Sequence, residues 1–119
     1  MESQVKVTKG YLFILNQIFE IQQKSERITE SNSISRNVNK LIDYFEYELL
    51  PENNGLVIHD PFGEKFDETR TDVEASIAGN STENLVIAEV IKPIIRLKQG
   101  NFSTIIQKGV VVVKSKDEL

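Results

Sequence analysis

The sequence predicts an α+β protein in which a helical hairpin forms a dimeric four-helix bundle and is followed by a small antiparallel β domain. Apolar residues recur at heptad spacing in the first half of the chain, and segments rich in Val and Ile occupy the second half. A polar segment with Pro and Gly lies between these two patterns. We therefore divide the 119 residues into a dimerisation hairpin (residues 1–54) and a β domain (residues 55–119).

The first predicted helix has two adjacent apolar seams. One follows the alternating spacing of four and three residues that is typical of a supercoiled helix, and the second lies beside it. One seam contacts one neighbour, whereas two adjacent seams suit a bundle in which each helix contacts two others. The seams consist of Val7, Tyr11, Ile14, Ile18, Ile21 and Ile28, with Ser25 in the gap, and of Val5, Leu12, Leu15 and Phe19.

A second helix is predicted after the connection Thr29–Ser35, which is rich in N-cap residues. Its apolar stripe comprises Ile34, Val38, Leu41, Ile42, Phe45 and Leu49. Pro51 disfavours helical geometry at Leu50, and Asn54-Gly55 is expected to form a turn.

Two helices cannot cover two seams each, so a homodimer that completes a four-helix bundle is the economical solution. The predicted dimer interface contains Tyr11, Ile14, Leu15, Ile18, Phe19, Val38, Leu41 and Phe45.

The second half predicts a long β-hairpin. One strand covers residues 85–97, Gly100-Asn101 is a two-residue turn, and the return strand covers residues 102–114. Pro93 cannot donate to the ladder and marks an edge or a bulge. The run GVVVV at 109–113 has lost alternation, so both of its faces are expected to be covered. Shorter strands are predicted at Val73–Ile77 and Leu56–Ile58.

Residues 58–75, IHDPFGEKFDETRTDVEA, are rich in acids. They do not form a calcium loop, because Lys65 stands where that loop needs glycine. Glu64 and Asp67 could form an acid/base pair, but no nucleophile or donor set accompanies them. His59 is the only histidine and there is no cysteine, which excludes a multi-histidine or thiolate metal site. The segment predicts a structural connector with a solvent-facing histidine, and we expect no metal, cofactor or catalytic residue.

Charge is distributed unevenly, with eight acids between Asp60 and Glu89 and six bases between Ile91 and Lys116. This pattern suits either solvated faces or a charged docking face. Nucleic acid is not an expected partner, because the basic stretch contains no RNA-binding or helix-turn-helix signature.

No run approaches the ~18 apolar residues that span a membrane, and the N-terminus does not resemble a secretory signal, so we expect a soluble, cytoplasmic protein without membrane contact. The last four residues, KDEL, spell an endoplasmic-reticulum address. We expect a coincidence and a flexible polar tail.

Three segments resemble the GrpE family, the nucleotide exchange factors of DnaK-class chaperones. Leu12–Ile18 is similar to the family's L-P-V-L-D-N-L on its first bundle helix, with Phe in place of the proline. Asp60–Asp67 (DPFGEKFD) is similar to D-P-x-G-E-x-F-D, and residues 86–90 and 106–113 are similar to the closing hairpin, V-x-E-V-L and L-R-P-A-x-V-x-V. The long N-terminal paired helix of the family is absent from this sequence.

The resemblance implies a homodimeric co-chaperone that performs no bond chemistry. Its β domain would bind the nucleotide-binding domain of the chaperone, favour the open cleft and promote ADP release. The resemblance places the contact on the return strand, at Phe102, Thr104, Val111 and Val113, with Thr104 at a position where family members have Arg. The alternative interpretation, with equal weight, is that Val111 and Val113 are core residues of the β domain.

Two alternatives stay open. A dimeric interaction module could have a GrpE-like fold without acting on a chaperone. A small-molecule sensor or enzyme could use the acidic connector. This function would be indicated by a deep pocket lined by Glu64, Asp67 and Asp72.

Overall fold

The computed structural model describes residues 7–28 and 33–119, and the α+β class is confirmed. The helices are α1 (Lys9–Glu26) and α2 (Ile34–Tyr47). The strands are β1 (Asn54–His59), β2 (Val73–Ile77), β3 (Leu85–Lys92), β4 (Ile94–Gln99), β5 (Phe102–Gln107) and β6 (Gly109–Ser115), and a short 3₁₀ helix, η1 (Lys116–Glu118), follows.

The chain forms two compact units. The first contains the described part of residues 1–58 together with residues 96–104, and the second contains residues 59–95 and 105–119. The tip of the predicted hairpin therefore belongs to the same unit as the helices.

Helix α1 begins after Thr8, whose side-chain oxygen accepts a hydrogen bond from the backbone N–H of Tyr11 at 3.4 Å. Leu15, Ile18 and Phe19 bury one face of the helix. Val5 and residues 29–32 of the predicted connection lie outside the described residues.

Helix α2 buries Val38 and Phe45, and the Phe45 ring packs edge-on against Tyr11 of α1 with 6.3 Å between the centroids.

The turn before β1 differs from the sequence prediction. Glu52 and Asn53 both have positive φ, 62° and 60°, and Asn54 N donates to Pro51 O at 3.2 Å. Asn54 and Gly55 are therefore the first residues of β1, and the expectation that they form the turn is wrong. Glycine suits this position because its backbone lies directly against the backbone of Glu46.

The β elements form two sheets of three strands, with strand orders β1-β4-β5 and β2-β6-β3. Each arm of the predicted hairpin is divided between the sheets, one arm at Pro93 and the other at Lys108. The prediction of a purely antiparallel domain is wrong for the second sheet, because β2 pairs with β6 in parallel, in the register Val73↔Gly109 to Ile77↔Val113. Three intervening strands give the chain the length that a parallel return requires.

The core of the second sheet lies on one face of β6. Ile87, Val111 and Val113 are almost completely buried there, whereas Val110 and Val112 on the opposite face are intermediate in burial. The expectation that both faces of the valine run are covered therefore holds fully for the inner face and only in part for the outer face. Burial alternates along β6 as in a one-sided sheet, although the residue type does not.

The acidic connector covers the outer edge of β3. Gly63 N donates to Ile87 O, Ile87 N donates to Glu64 O, and Phe66 N donates to Leu85 O, each at 2.9 Å. These bonds satisfy backbone groups that an edge strand would otherwise leave open.

The end of the chain is ordered, so the expectation of a flexible tail is wrong. Ser115 caps η1 through the N–H of Asp117, and the carboxylate of Glu118 accepts from the backbone N–H of Ser81 at 2.7 Å. The tail is thus held against the loop between β2 and β3.

Gly55→Ala is expected to lower the free energy of unfolding by about 1–3 kcal/mol, because a Cβ atom there would collide with the backbone carbonyl of Glu46. Gly10→Ala is the matched control, since its Cβ would meet only Thr8 Oγ1 at 3.5 Å and alanine favours the helix. Urea denaturation measures both variants. Equal stability of the two would contradict the close approach at Gly55.

Candidate functional site

The tip of the β4–β5 hairpin presents an exposed aromatic side chain. Gly100 has φ of 59° whereas Asn101 does not adopt positive φ, which is the arrangement of a type II′ turn. Phe102 follows the turn with 77% of its surface exposed, and Thr104 is exposed two residues later. Because side chains alternate along a strand, Phe102 and Thr104 lie on the same face of β5.

The hairpin tip is anchored in the first unit. Leu97 on β4 is buried, and the Lys98 ammonium lies 3.4 Å from the Glu46 carboxylate at the end of α2. Burial of Leu97 is the stronger anchor, because a solvent-accessible ion pair is worth little. An exposed Phe102 on such a base is suited to contact with a protein surface.

Val111 and Val113 do not lie on an exposed surface, as a role in docking a partner would require. Both are fully buried on the core face of β6, as the core alternative anticipates. The structure therefore brings together only Phe102 and Thr104 among the four residues assigned to the partner.

The eight residues assigned to the dimer interface differ in burial. Leu15, Ile18, Phe19, Val38 and Phe45 are buried within the chain itself, Tyr11 is half-buried, and Ile14 and Leu41 are exposed. The residues of the predicted seam on α1 therefore differ in burial. Ile18 and Ser25 are buried, whereas Ile14, Ile21 and Ile28, which are spaced seven residues apart, are exposed. The exposed apolar residues of this helical region are Phe13, Ile14, Ile21, Ile28, Ile34, Leu41, Tyr44 and Tyr47.

The connector contains a chain of ion pairs that sequence reasoning missed. His59 Nε2 donates to Glu64 at 2.7 Å, Glu64 lies 3.1 Å from Arg70, and Arg70 binds Asp72 through Nε and Nη2, each at 2.9 Å. His59 is half-buried and bonded, so the expectation of a solvent-facing histidine is wrong. The available signal was an arginine within a segment of six acids and only one other base, Lys65.

Hydrogen bonds in the connector favour the charged forms of Glu64, Asp67 and Arg70. Burial raises the pKa of Glu64, but hydrogen bonds from His59 and Arg70 outweigh burial and hold this pKa below its ordinary value. The hydrogen bond to Asp72 raises the pKa of Arg70. Hydrogen bonds from the hydroxyl and backbone N–H of Thr69 lower the pKa of Asp67, which is exposed.

The carboxylates of Glu64 and Asp72 do not line the open groove that Asp67 borders. Arg70 joins Glu64 and Asp72, whereas Asp67 lines a separate open groove. Among residues 7–28 and 33–119, no group of His, Asp and Glu could hold a metal ion.

Comparisons with protein-family models, with curated proteins and with solved structures found no match to this chain. None of the helices in the described part of the chain is long and apolar enough to cross a membrane. The candidate functions therefore rest on the surfaces of this chain and on the resemblance of its sequence.

The ion-pair chain predicts an acid-dependent loss of stability. Because the folded-state pKa of Glu64 is depressed, its contribution is fully present above the ordinary value of 4.5 and is lost as the pH falls through the folded value. Glu64 is 39% exposed, so solvent screening limits the effect to about 0.5 kcal/mol.

Urea denaturation between about pH 6 and pH 3 checks this prediction. Glu64→Gln should flatten the pH dependence, whereas Glu68→Gln, at an exposed connector residue for which the structure records no ion pair, should not. An unchanged slope in Glu64→Gln would contradict the prediction.

Proposed function

We propose that this chain is a homodimeric protein-binding module that acts, as its resemblance to the GrpE family implies, as a co-chaperone. Its partner would be the nucleotide-binding domain of a DnaK-class chaperone, and its effect would be faster release of ADP. The observation that carries the proposal is the exposed Phe102, beside Thr104, at the tip of an anchored hairpin. Large aromatic side chains are enriched among the residues that dominate protein interfaces.

The proposed mechanism is a shift between two states of the chaperone. A module that binds the open nucleotide cleft more tightly than the closed cleft increases the open population by the ratio of the two affinities. ADP then leaves faster and ATP can enter. By linkage, nucleotide binding must weaken the complex by the same factor.

The exposed apolar residues of the helices support the homodimer. Ile14, Ile21 and Ile28 recur at intervals of seven residues, and Ile34 and Leu41 have the same spacing in the second helical segment. Such columns suit the seam of a supercoiled bundle, and a second copy would remove them from water.

A second candidate function is an interaction module that does not act on a chaperone. Thr104 favours it, because the resembled family has Arg at this position and threonine provides no charge for an acidic partner surface. The sensor or enzyme alternative is not proposed, since the carboxylates of Glu64 and Asp72 are both bound to Arg70.

Ile14→Asp combined with Ile21→Asp is expected to convert the dimer into a monomer, because unpaired charges in a dry interface cost several kcal/mol. Both residues are about half exposed in the single chain, so its fold should persist. Glu20→Lys is the control, since it lies about 100° around α1 from Ile21. Light scattering at micromolar concentration measures the mass, and a monomeric wild type would refute the bundle.

Thr104→Arg is expected to strengthen the chaperone complex by about 1–3 kcal/mol, because the new guanidinium could pair with acidic groups in a partly desolvated contact. Thr104→Glu should weaken it. The release rate of labelled ADP from the cognate chaperone measures each variant.

Ser103→Arg is the matched control, because it adds the same charge on the opposite face of β5 and should not accelerate release. Melting temperatures should stay close to wild type, since residues 103 and 104 are exposed. Equal release rates for Arg, Thr and Glu at residue 104 would exclude this docking surface and favour the second candidate function.

A further inference from the structure

Strand β2 forms one edge of the β2-β6-β3 sheet. The opposite edge, β3, is bonded by Gly63, Glu64 and Phe66 of the connector. For the outer side of β2, the structure records no backbone hydrogen bond to any residue in the two described ranges. The two edges of this sheet therefore differ, one being covered and the other open.

The direction of the free backbone groups follows from two hydrogen bonds. Gly109 N donates to Asp72 O, and Ala78 N donates to Val113 O, so the even-numbered residues from 72 to 78 direct their backbone groups toward β6. Backbone direction alternates along a strand. The N–H and C=O groups of Ala75 and Ile77 therefore point outward, away from the sheet.

The open edge has few of the features that usually prevent strand addition. Edge strands are commonly protected by lysine, proline or a bulge. Strand β2, with sequence VEASI, contains no lysine or proline and pairs with β6 without a register shift, whereas the β3–β6 pairing has two shifts. Its one charged residue, Glu74, is exposed.

The core face of the sheet is incomplete at β2. Ala75 and Ile77 pair with the fully buried Val111 and Val113 and so share their face, yet Ile77 is 49% exposed. An open groove of about 370 Å³ begins at Ile77, and Phe66 and Leu85 contribute its apolar lining. An added strand would place side chains beside Ala75 and Ile77 and extend the core.

Charge selects the chemistry of the added strand. Glu74 lies on the opposite face of β2 from Ala75 and Ile77, where it would be a cross-strand neighbour of an added residue. Asp67 and Glu68 border the groove together with a single base, Lys65. The carboxylate of Glu74 and the excess of acids around the groove both favour a positively charged partner segment.

We propose that the outer edge of β2 binds an extended segment of a partner protein as a fourth strand, with apolar residues beside Ala75 and Ile77 alternating with Lys or Arg beside Glu74. Backbone bonds to residues 75 and 77 supply affinity, and the alternating side chains supply selectivity. This surface is independent of the hairpin tip and does not require the co-chaperone function.

The probe is a capped synthetic peptide of alternating valine and lysine, six residues long, added to the whole chain and followed by NMR. Before addition, the amides of Ala75 and Ile77 should exchange with solvent faster than those of Glu74 and Ser76. Saturating peptide should protect residues 75 and 77. A peptide with glutamate in place of lysine, and one methylated at its backbone nitrogens, should each bind at least about tenfold more weakly.

Two variants separate the backbone and charge contributions. Ala75→Pro removes an outward N–H and leaves the ladder to β6 intact, so peptide affinity should fall at least about tenfold. Ala75→Val is its matched control and should bind the peptide. Glu74→Lys should reverse the preference, so that the glutamate peptide binds more tightly than the lysine peptide.

The proposal would be overturned by no binding of the valine–lysine peptide at millimolar concentration, by equal binding of the N-methylated peptide, or by an unchanged preference in Glu74→Lys. Protection of residues 75 and 77 that rises with protein concentration, without peptide, would assign the edge to a second copy and would also overturn it. ADP release by Thr104 variants does not involve this edge, so the two proposals can fail separately.

Discussion

The division of the long β-hairpin at Pro93 and at Lys108, just before Gly109, is the constraint on which the second half of the chain depends. Pro93 supplies no backbone N–H between β3 and β4, and its carbonyl accepts a hydrogen bond from Gln107 Nε2 at 2.9 Å. A Cβ atom at Gly109 would lie 3.0 Å from Ile94 Cγ1 and 3.2 Å from Val73 Cγ1, so no larger residue fits without movement. Each arm of the hairpin therefore contributes one strand to each sheet.

This division makes β6 the central strand of the second sheet. Its inward valines, Val111 and Val113, become core, and its two neighbours arrive from different parts of the chain. The acidic connector lies along one neighbour, β3, through three backbone hydrogen bonds. The acidic segment thus has an architectural role, and two of its carboxylates, those of Glu64 and Asp72, pair with Arg70.

The surfaces proposed for binding are those that the core leaves uncovered. Phe102 stays exposed at the tip of a hairpin whose base is buried, and one column of isoleucines on α1 stays exposed because α2 does not cover it. Exposed apolar groups in regular arrangements are typical of contact surfaces.

The sequence by itself determined the local elements, because periodicity, caps and turn residues act over a few positions. Strand Val73–Ile77 and the turn at Gly100-Asn101 were predictable on this basis. Tertiary structure alone decided the parallel pairing of β2 with β6, the burial of Val111 and Val113, and the bond between His59 and Glu64. Pairing and burial depend on which distant segments meet, and an alternating or heptad pattern does not specify the neighbour that covers it.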